Sequence, residues 1–174
     1  MNAVTNSLPP NAPGFSFKTR VTNAWANIEL LRVAVIASAR AVFNEDVSVA
    51  IGTVASELME NSVKYGEWDD HGMQTMRVAV RGHDNIIEVD VSSPSSPAMA
   101  ARLHEHLVWM RTFACVEEAY LARISELAVA PSDTRSSMGL LRIAVEGNCQ
   151  LSSDLAQDNI LTVCATLADA SLVA

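Results

Sequence analysis

The stretch Ala55-Ser-Glu-Leu-Met-Glu-Asn-Ser-Val-Lys-Tyr-Gly66 constrains the fold more than any other part of this chain. At helical spacing it places Glu57, Asn61 and Lys64 at i, i+4 and i+7, one stripe on one face. Ile51, Val54, Leu58 and Ser62 form a neighbouring, mostly apolar stripe that would pack on a core. Asn44, Glu45 and Asp46 supply a start signal for this helix, and Gly66 stands where it would stop. A carboxylate, a carboxamide and an ammonium therefore lie along the edge of a buried face. Two readings stay open. The polar stripe faces water, or it forms a site in which the acid polarises a hydroxyl, the amide oxygen holds Mg²⁺ and the cation meets phosphate.

The flanking segments alternate between strand and helix periods. Residues 1–14, with three prolines, read as a flexible leader, and 15–174 as a single domain. Phe15 to Val21 alternates apolar and polar, an edge strand where a second copy could pair. Ala24 to Phe43 has helical spacing and precedes the helix described above. Asp69, Asp70 and His71 are contiguous in a turn, which favours loop chemistry over a metal site. Thr75 to Arg81 and Ile86 to Ser92 form a hairpin through residues 82–85.

Ala98 to Ala128 carries two apolar series side by side: Leu103, Leu107, Met110, Ala114, Leu121 and Ile124, then Trp109, Phe113, Val116, Tyr120 and Leu127. That arc fits one deeply buried helix, two helices broken near Glu117 and Glu118, or a face that meets a partner. A polar loop over 129–137 leads to a helix beginning near Ser137, with Arg135 and Arg142 adding charge there. Cys149 to Asp154 and Asn159 to Leu167 make a final hairpin. The predicted fold is α+β: a two-layer sandwich whose mixed, mainly antiparallel sheet is covered on one face by helices.

Composition narrows the function classes. The 174 residues are 49% hydrophobic and 18% charged, which is globular in character. A net charge of -8 argues against nucleic acid or an anionic membrane as partner, yet leaves room for a nucleotide held by local positive charge. The three cysteines, Cys115, Cys149 and Cys164, lack metal-type spacing and read as reduced, buried thiols. With no signal-peptide pattern and no apolar run long enough to span a bilayer, a cytoplasmic protein is expected.

Glu57, Asn61, Lys64 and Gly66 resemble the N-box of the histidine-kinase-like (GHKL) ATPase superfamily, roughly Glu-x-x-x-Asn-x-x-Lys/His-His-Gly. Within it the chain is similar to the small anti-sigma-factor serine kinases of bacterial partner switching. Gly139, Leu140 and Ile143 resemble the glycine box, with Ser137 at its earlier glycine, and the order of elements is similar from about Phe15 onward. The resemblance implies the Bergerat fold with ATP and Mg²⁺ as cofactors. Glu57 would then be the general base, Asn61 the Mg²⁺ ligand, Lys64 a phosphate contact, and Ser137 and Gly139 part of the phosphate cradle. The adenine motif Asp-x-Gly-x-Gly falls on Ser93, Ser95 and Pro97, so Ser93 would have to accept from the base without a charge. The implied function is an ATP-binding regulatory protein and protein-serine kinase, with a STAS-type antagonist or a response regulator as partner, working as a homodimer. The alternative is a non-catalytic ATPase-fold module acting through protein–protein contacts.

Overall fold

The structure, a computed structural model, describes residues 13–22, 25–83, 85–129 and 138–168. In order these form β1 (Gly14–Thr22), α1 (Trp25–Ala39), α2 (Glu45–Tyr65), β2 (Met73–His83), β3 (Ile86–Pro94), α3 (Pro97–Met110), α4 (Val116–Val129), α5 (Met138–Glu146), β4 (Cys149–Leu155) and β5 (Ile160–Ala168). The five strands make one sheet in the order β1-β2-β3-β5-β4. The expected α+β sandwich is present, with one correction: every neighbouring pair runs antiparallel, so the sheet is not mixed. Antiparallel neighbours suit the connections, because β2 to β3 and β4 to β5 are short hairpins. Asn85 and Asn159 take the left-handed turn positions, at φ 61° and 60°.

The strand period of two sorts side chains between the faces. Val80, Val89, Ala165 and Leu151 line up across four strands and are buried under the helices. The opposite face carries a polar ladder. Arg81 Nε lies 3.2 Å from Glu88 Oε2, its Nη2 pairs with Asp90, and the Ser92 and Thr162 hydroxyls bond at 2.9 Å. Helices therefore cover one face only. As expected, β1 lies at an edge; β4 forms the other.

α2 is the central helix. Asn44 caps it, accepting from the Val47 N–H at 3.0 Å, with Glu45 and Asp46 favourably placed in the first turn. Its buried residues include Ile51, Val54, Leu58 and Met59, which pack with Ile28 and Val35 of α1 and with the sheet. Gly66 ends α2 as expected, but not by adopting a left-handed backbone, since its φ is -75°. It is needed for room. A Cβ there would lie 1.7 Å from Gln74 Nε2, which donates to Ser62 O at 3.1 Å in a fully buried staple between α2 and β2. Gly66→Ala is expected to cost about 1–3 kcal/mol by overpacking. Chemical denaturation should show a lower midpoint at unchanged slope; an unaltered midpoint would mean that the staple contributes nothing.

The long apolar arc belongs to two helices, and the break falls at residues 111–115, upstream of Glu117 and Glu118. Those two acids sit in the first turn of α4, where negative charge is favourable. At the break Arg111 caps α3 and donates from Nη2 to Leu151 O at 2.9 Å, and the Thr112 hydroxyl bonds back to Trp109 O at 2.7 Å. The second apolar series folds on itself: Trp109 meets Phe113 edge-on at 5.0 Å, with the Arg123 guanidinium 5.8 Å above its ring.

The cysteines are all free. Cys115 is exposed, contrary to expectation, because it lies in the α3–α4 break. Burial pushes the Cys149 thiol up to about 11 and the Cys164 thiol up to about 12, the latter helped by the neighbouring Asp90 carboxylate. No described helix is long and apolar enough to cross a membrane.

Candidate functional site

The inward face of α2 meets the start of α5. Glu57 is 7% exposed, and Gly139 sits so close that a Cβ there would lie 2.7 Å from Glu57 Oε2 and 3.9 Å from Asn61 Nδ2. Two segments far apart in sequence thus converge on one point, and glycine at 139 leaves the Glu57 carboxylate in place while Asn61 stays in ordinary contact. Arg142 follows Gly139 by three residues on α5, hence on the same face, and its Nη2 forms an ion pair with Glu57 Oε1. The guanidinium is half-exposed, and its Nε lies 4.0 Å from Glu146 Oε2.

Asn61 carries the most informative atom. Its Nδ2 is shielded from water and has no hydrogen-bond partner. A shielded donor without an acceptor costs about 1–3 kcal/mol, and native structures keep few of them. Lys64 departs from its two companions: its side chain is 39% exposed and its Nζ lies 3.6 Å from Glu60 Oε2. The expected Glu57–Asn61–Lys64 stripe therefore divides. Two members turn toward α5, and the flexible stem of the third carries its charge to the surface.

The segment aligned with the adenine motif is a strand-to-helix turn. Ser93 is buried in the last part of β3, paired with Leu161. Ser95 is 1% exposed with its hydroxyl unpartnered. Ser96 caps α3 by accepting from the Met99 N–H at 3.3 Å, and Pro97 begins the helix. Glycines are absent here because the residues serve a helix start. The Glu67 N–H donates to Pro94 O at 2.8 Å, tying this turn to the end of α2. Asp90 is no replacement for the missing aspartate, since it faces the other side of the sheet and pairs with Arg81. Ser137 and Arg135 lie outside the described residues.

No family model matches the chain, and no curated protein matches it either.

Glu57 Oε1 meets the Arg142 guanidinium, while its Oε2 and the Asn61 carboxamide face Gly139. Among the described residues no group of three or more His, Cys, Asp and Glu side chains could hold a metal ion. The Asp69 loop is occupied otherwise. The Met73 and His71 N–H groups, both at 2.9 Å, and Arg20 beside it hold the Asp69 carboxyl below the usual carboxylate range. The α2–α5 junction thus brings a carboxylate, a carboxamide, a guanidinium and a glycine without steric bulk to one point. Arg142 is the member that sequence reasoning placed only as general positive charge. Its three-residue spacing from Gly139 was the available signal.

Proposed function

We propose that this chain is a nucleotide-binding regulatory protein of histidine-kinase-like ATPase type. It takes the phosphates of ATP at the junction of α2 and α5 and works through a protein partner. The observation that carries this reading is the convergence of Glu57, Asn61 and Gly139, with the Arg142 guanidinium on Glu57 beside them. The buried, unpartnered Ser95 hydroxyl, on the turn tied to the end of α2, adds a polar group for the base. Apolar side chains left in water, Leu30 and Val33 on α1 and Leu121, Ile124 and Val129 on α4, support work with another protein, as does the open edge at β1. A STAS-type partner, a response regulator and a second copy of the chain are the candidates.

Binding without phosphoryl transfer is favoured by one specific contact. A general base must meet the proton it removes, and the Glu57 carboxylate meets Arg142 instead. The domain would then act as a non-catalytic module whose bound nucleotide sets its shape for the partner.

Thermal melting with ATP in magnesium buffer tests the proposal. Ligand at about a hundred times its Kd should add ~2.7 kcal/mol, which for a domain of this size raises the Tm by on the order of 5–10 °C. Asn61→Ala should remove most of the shift. A wild-type Tm that stays put at millimolar ATP would exclude nucleotide binding.

A further inference from the structure

We infer that the open edge of β1 is a docking strand for an extended segment of another protein, one that alternates acidic and apolar residues. The inference rests on the protein-partner half of the reading above and makes no use of its nucleotide site. β1 and β2 hold four of the chain's twelve Lys and Arg residues and none of its twenty Asp and Glu, so neither strand can neutralise its own charge. Arg81 is satisfied by Glu88 and Asp90 on β3, and Arg20 by Asp69. Lys18 and Arg77 are left over. They stand directly opposite one another, both exposed, and neither has an ion-pair partner among the described residues. Across the sheet their row continues through Ser92 and Thr162, whose hydroxyls bond each other, and reaches an acid only at Asp154, three strands from Arg77. Like charges directly opposite on a sheet are destabilising, and no described contact offsets them here.

The backbone supplies the other half of the site. The Gly82 N–H donates to Pro13 O at 2.8 Å, which fixes the ladder, so Phe15, Phe17 and Thr19 bond toward β2. The N–H and C=O groups of Ser16, Lys18 and Arg20 therefore point to the open edge, and Lys18 meets Arg77 in the closer, non-hydrogen-bonded kind of pair. A strand added along that edge places every second side chain on the open face beside Lys18, where a carboxylate relieves the like-charge contact. Its other side chains fall beside Phe15 and Phe17, both half-buried against the core, which suits apolar residues. Only a polypeptide can use these backbone groups. A net charge of -8 opposes extended polyanions such as nucleic acid, whereas a short segment meets only the local pair. A second copy is the poorer occupant, because antiparallel pairing over the full strand sets Lys18 against Lys18.

The test is fluorescence anisotropy with the full chain and a labelled synthetic peptide of alternating Glu and Val, with a Gln-Val peptide as control. The acidic peptide should bind, more weakly as salt rises, and the control should bind about tenfold less tightly or worse. Lys18→Gln with Arg77→Gln should lose about tenfold or more, at a Tm no lower than wild type because a like-charge pair is removed. Ser16→Pro keeps both charges, and the N–H it removes faces the open edge, so the β1–β2 ladder survives. It should also lose about tenfold or more, which simple attraction to a basic patch would not. Whatever Tm rise ATP produces in wild type, the Lys18→Gln, Arg77→Gln variant should show as well. Peptide capture without any ATP shift would therefore leave this inference standing and remove only the nucleotide reading. Equal binding of the two peptides would overturn the inference, as would Ser16→Pro binding at wild-type strength. So would no binding at millimolar peptide, tighter capture of a single-stranded RNA through Lys18 and Arg77, or a dimer in sedimentation that Ser16→Pro disperses.

Discussion

Leu141→Ala is expected to be among the most damaging substitutions in the chain, costing about 2–5 kcal/mol. Leu141 is completely buried, and α5 spans only nine residues. Helices shorter than about 12–15 residues are marginal on their own, so α5 depends on its docked face. That face consists of Leu140, Leu141, Ile143 and Ala144, packed toward α2, α4 and β4. Truncating this fully buried side chain leaves a cavity where the helix, the sheet and the α2 core meet. The Tm should fall by on the order of 5–15 °C. Glu146→Ala, on the solvent side of the same helix, should stay within about 0.5 kcal/mol of wild type. Equal melting of the two variants would mean that α5 is not anchored through Leu141.

Gly139→Ala should have the largest effect on the site. Alanine is intrinsically the better helix former by about 1 kcal/mol, so propensity alone predicts a gain. The contact at 2.7 Å between the new Cβ and Glu57 Oε2 opposes it. To relieve that contact the carboxylate must turn away from Arg142, or α5 must move off α2. Either response takes apart the group of donors proposed for phosphate. We expect a net destabilisation of about 1–3 kcal/mol and a loss of ATP affinity of about tenfold or more. Calorimetry and melting on Gly139→Ala, Glu57→Ala and the pair give a double-mutant cycle. The stability cost of the alanine at 139 should vanish once the Glu57 side chain is shortened. If the two costs simply add, the contact is not what excludes a side chain at 139.

The fold was largely legible because hydrophobic period reports local structure. The alternation in β2 and β3, the capped helix from Glu45 to Tyr65 and the C-terminal hairpin all follow from short-range pattern. Strand direction across the β3–β5 pairing did not, since it depends on how distant segments meet. The α3–α4 break was legible to within a few residues, and its exact place was not, for a related reason. Glu117 and Glu118 mark the first turn of α4, whereas the chain turns just before it, where Arg111 reaches the Leu151 carbonyl on β4. At the site, Glu57, Asn61 and Gly139 could be singled out as residue types, and the structure brings them together. Lys64 could not be separated from them, because spacing places a Cβ but says nothing of where a long side chain ends. The Glu57–Arg142 pair was beyond reach, since no local periodicity encodes an ion pair between helices so distant in sequence. The role of the Ser95 to Pro97 stretch as a helix start was legible in its Ser-Pro chemistry, but alignment to a glycine motif obscured it.

The strand order carries a consequence for how the molecule is completed during synthesis. β1, β2 and β3 pair as sequential neighbours, with α1 and α2 between β1 and β2, so the first half can assemble as soon as it emerges. The unit made of α5, β4 and β5 arrives last and joins the sheet only along β3. Until then the Glu57 carboxylate has no guanidinium beside it. Long-range pairing of this kind is slow relative to local structure, and it is what covers the β3 edge and brings a guanidinium to the acid on α2. The contact from Arg142 to Glu57 therefore joins the C-terminal block to the first half of the chain.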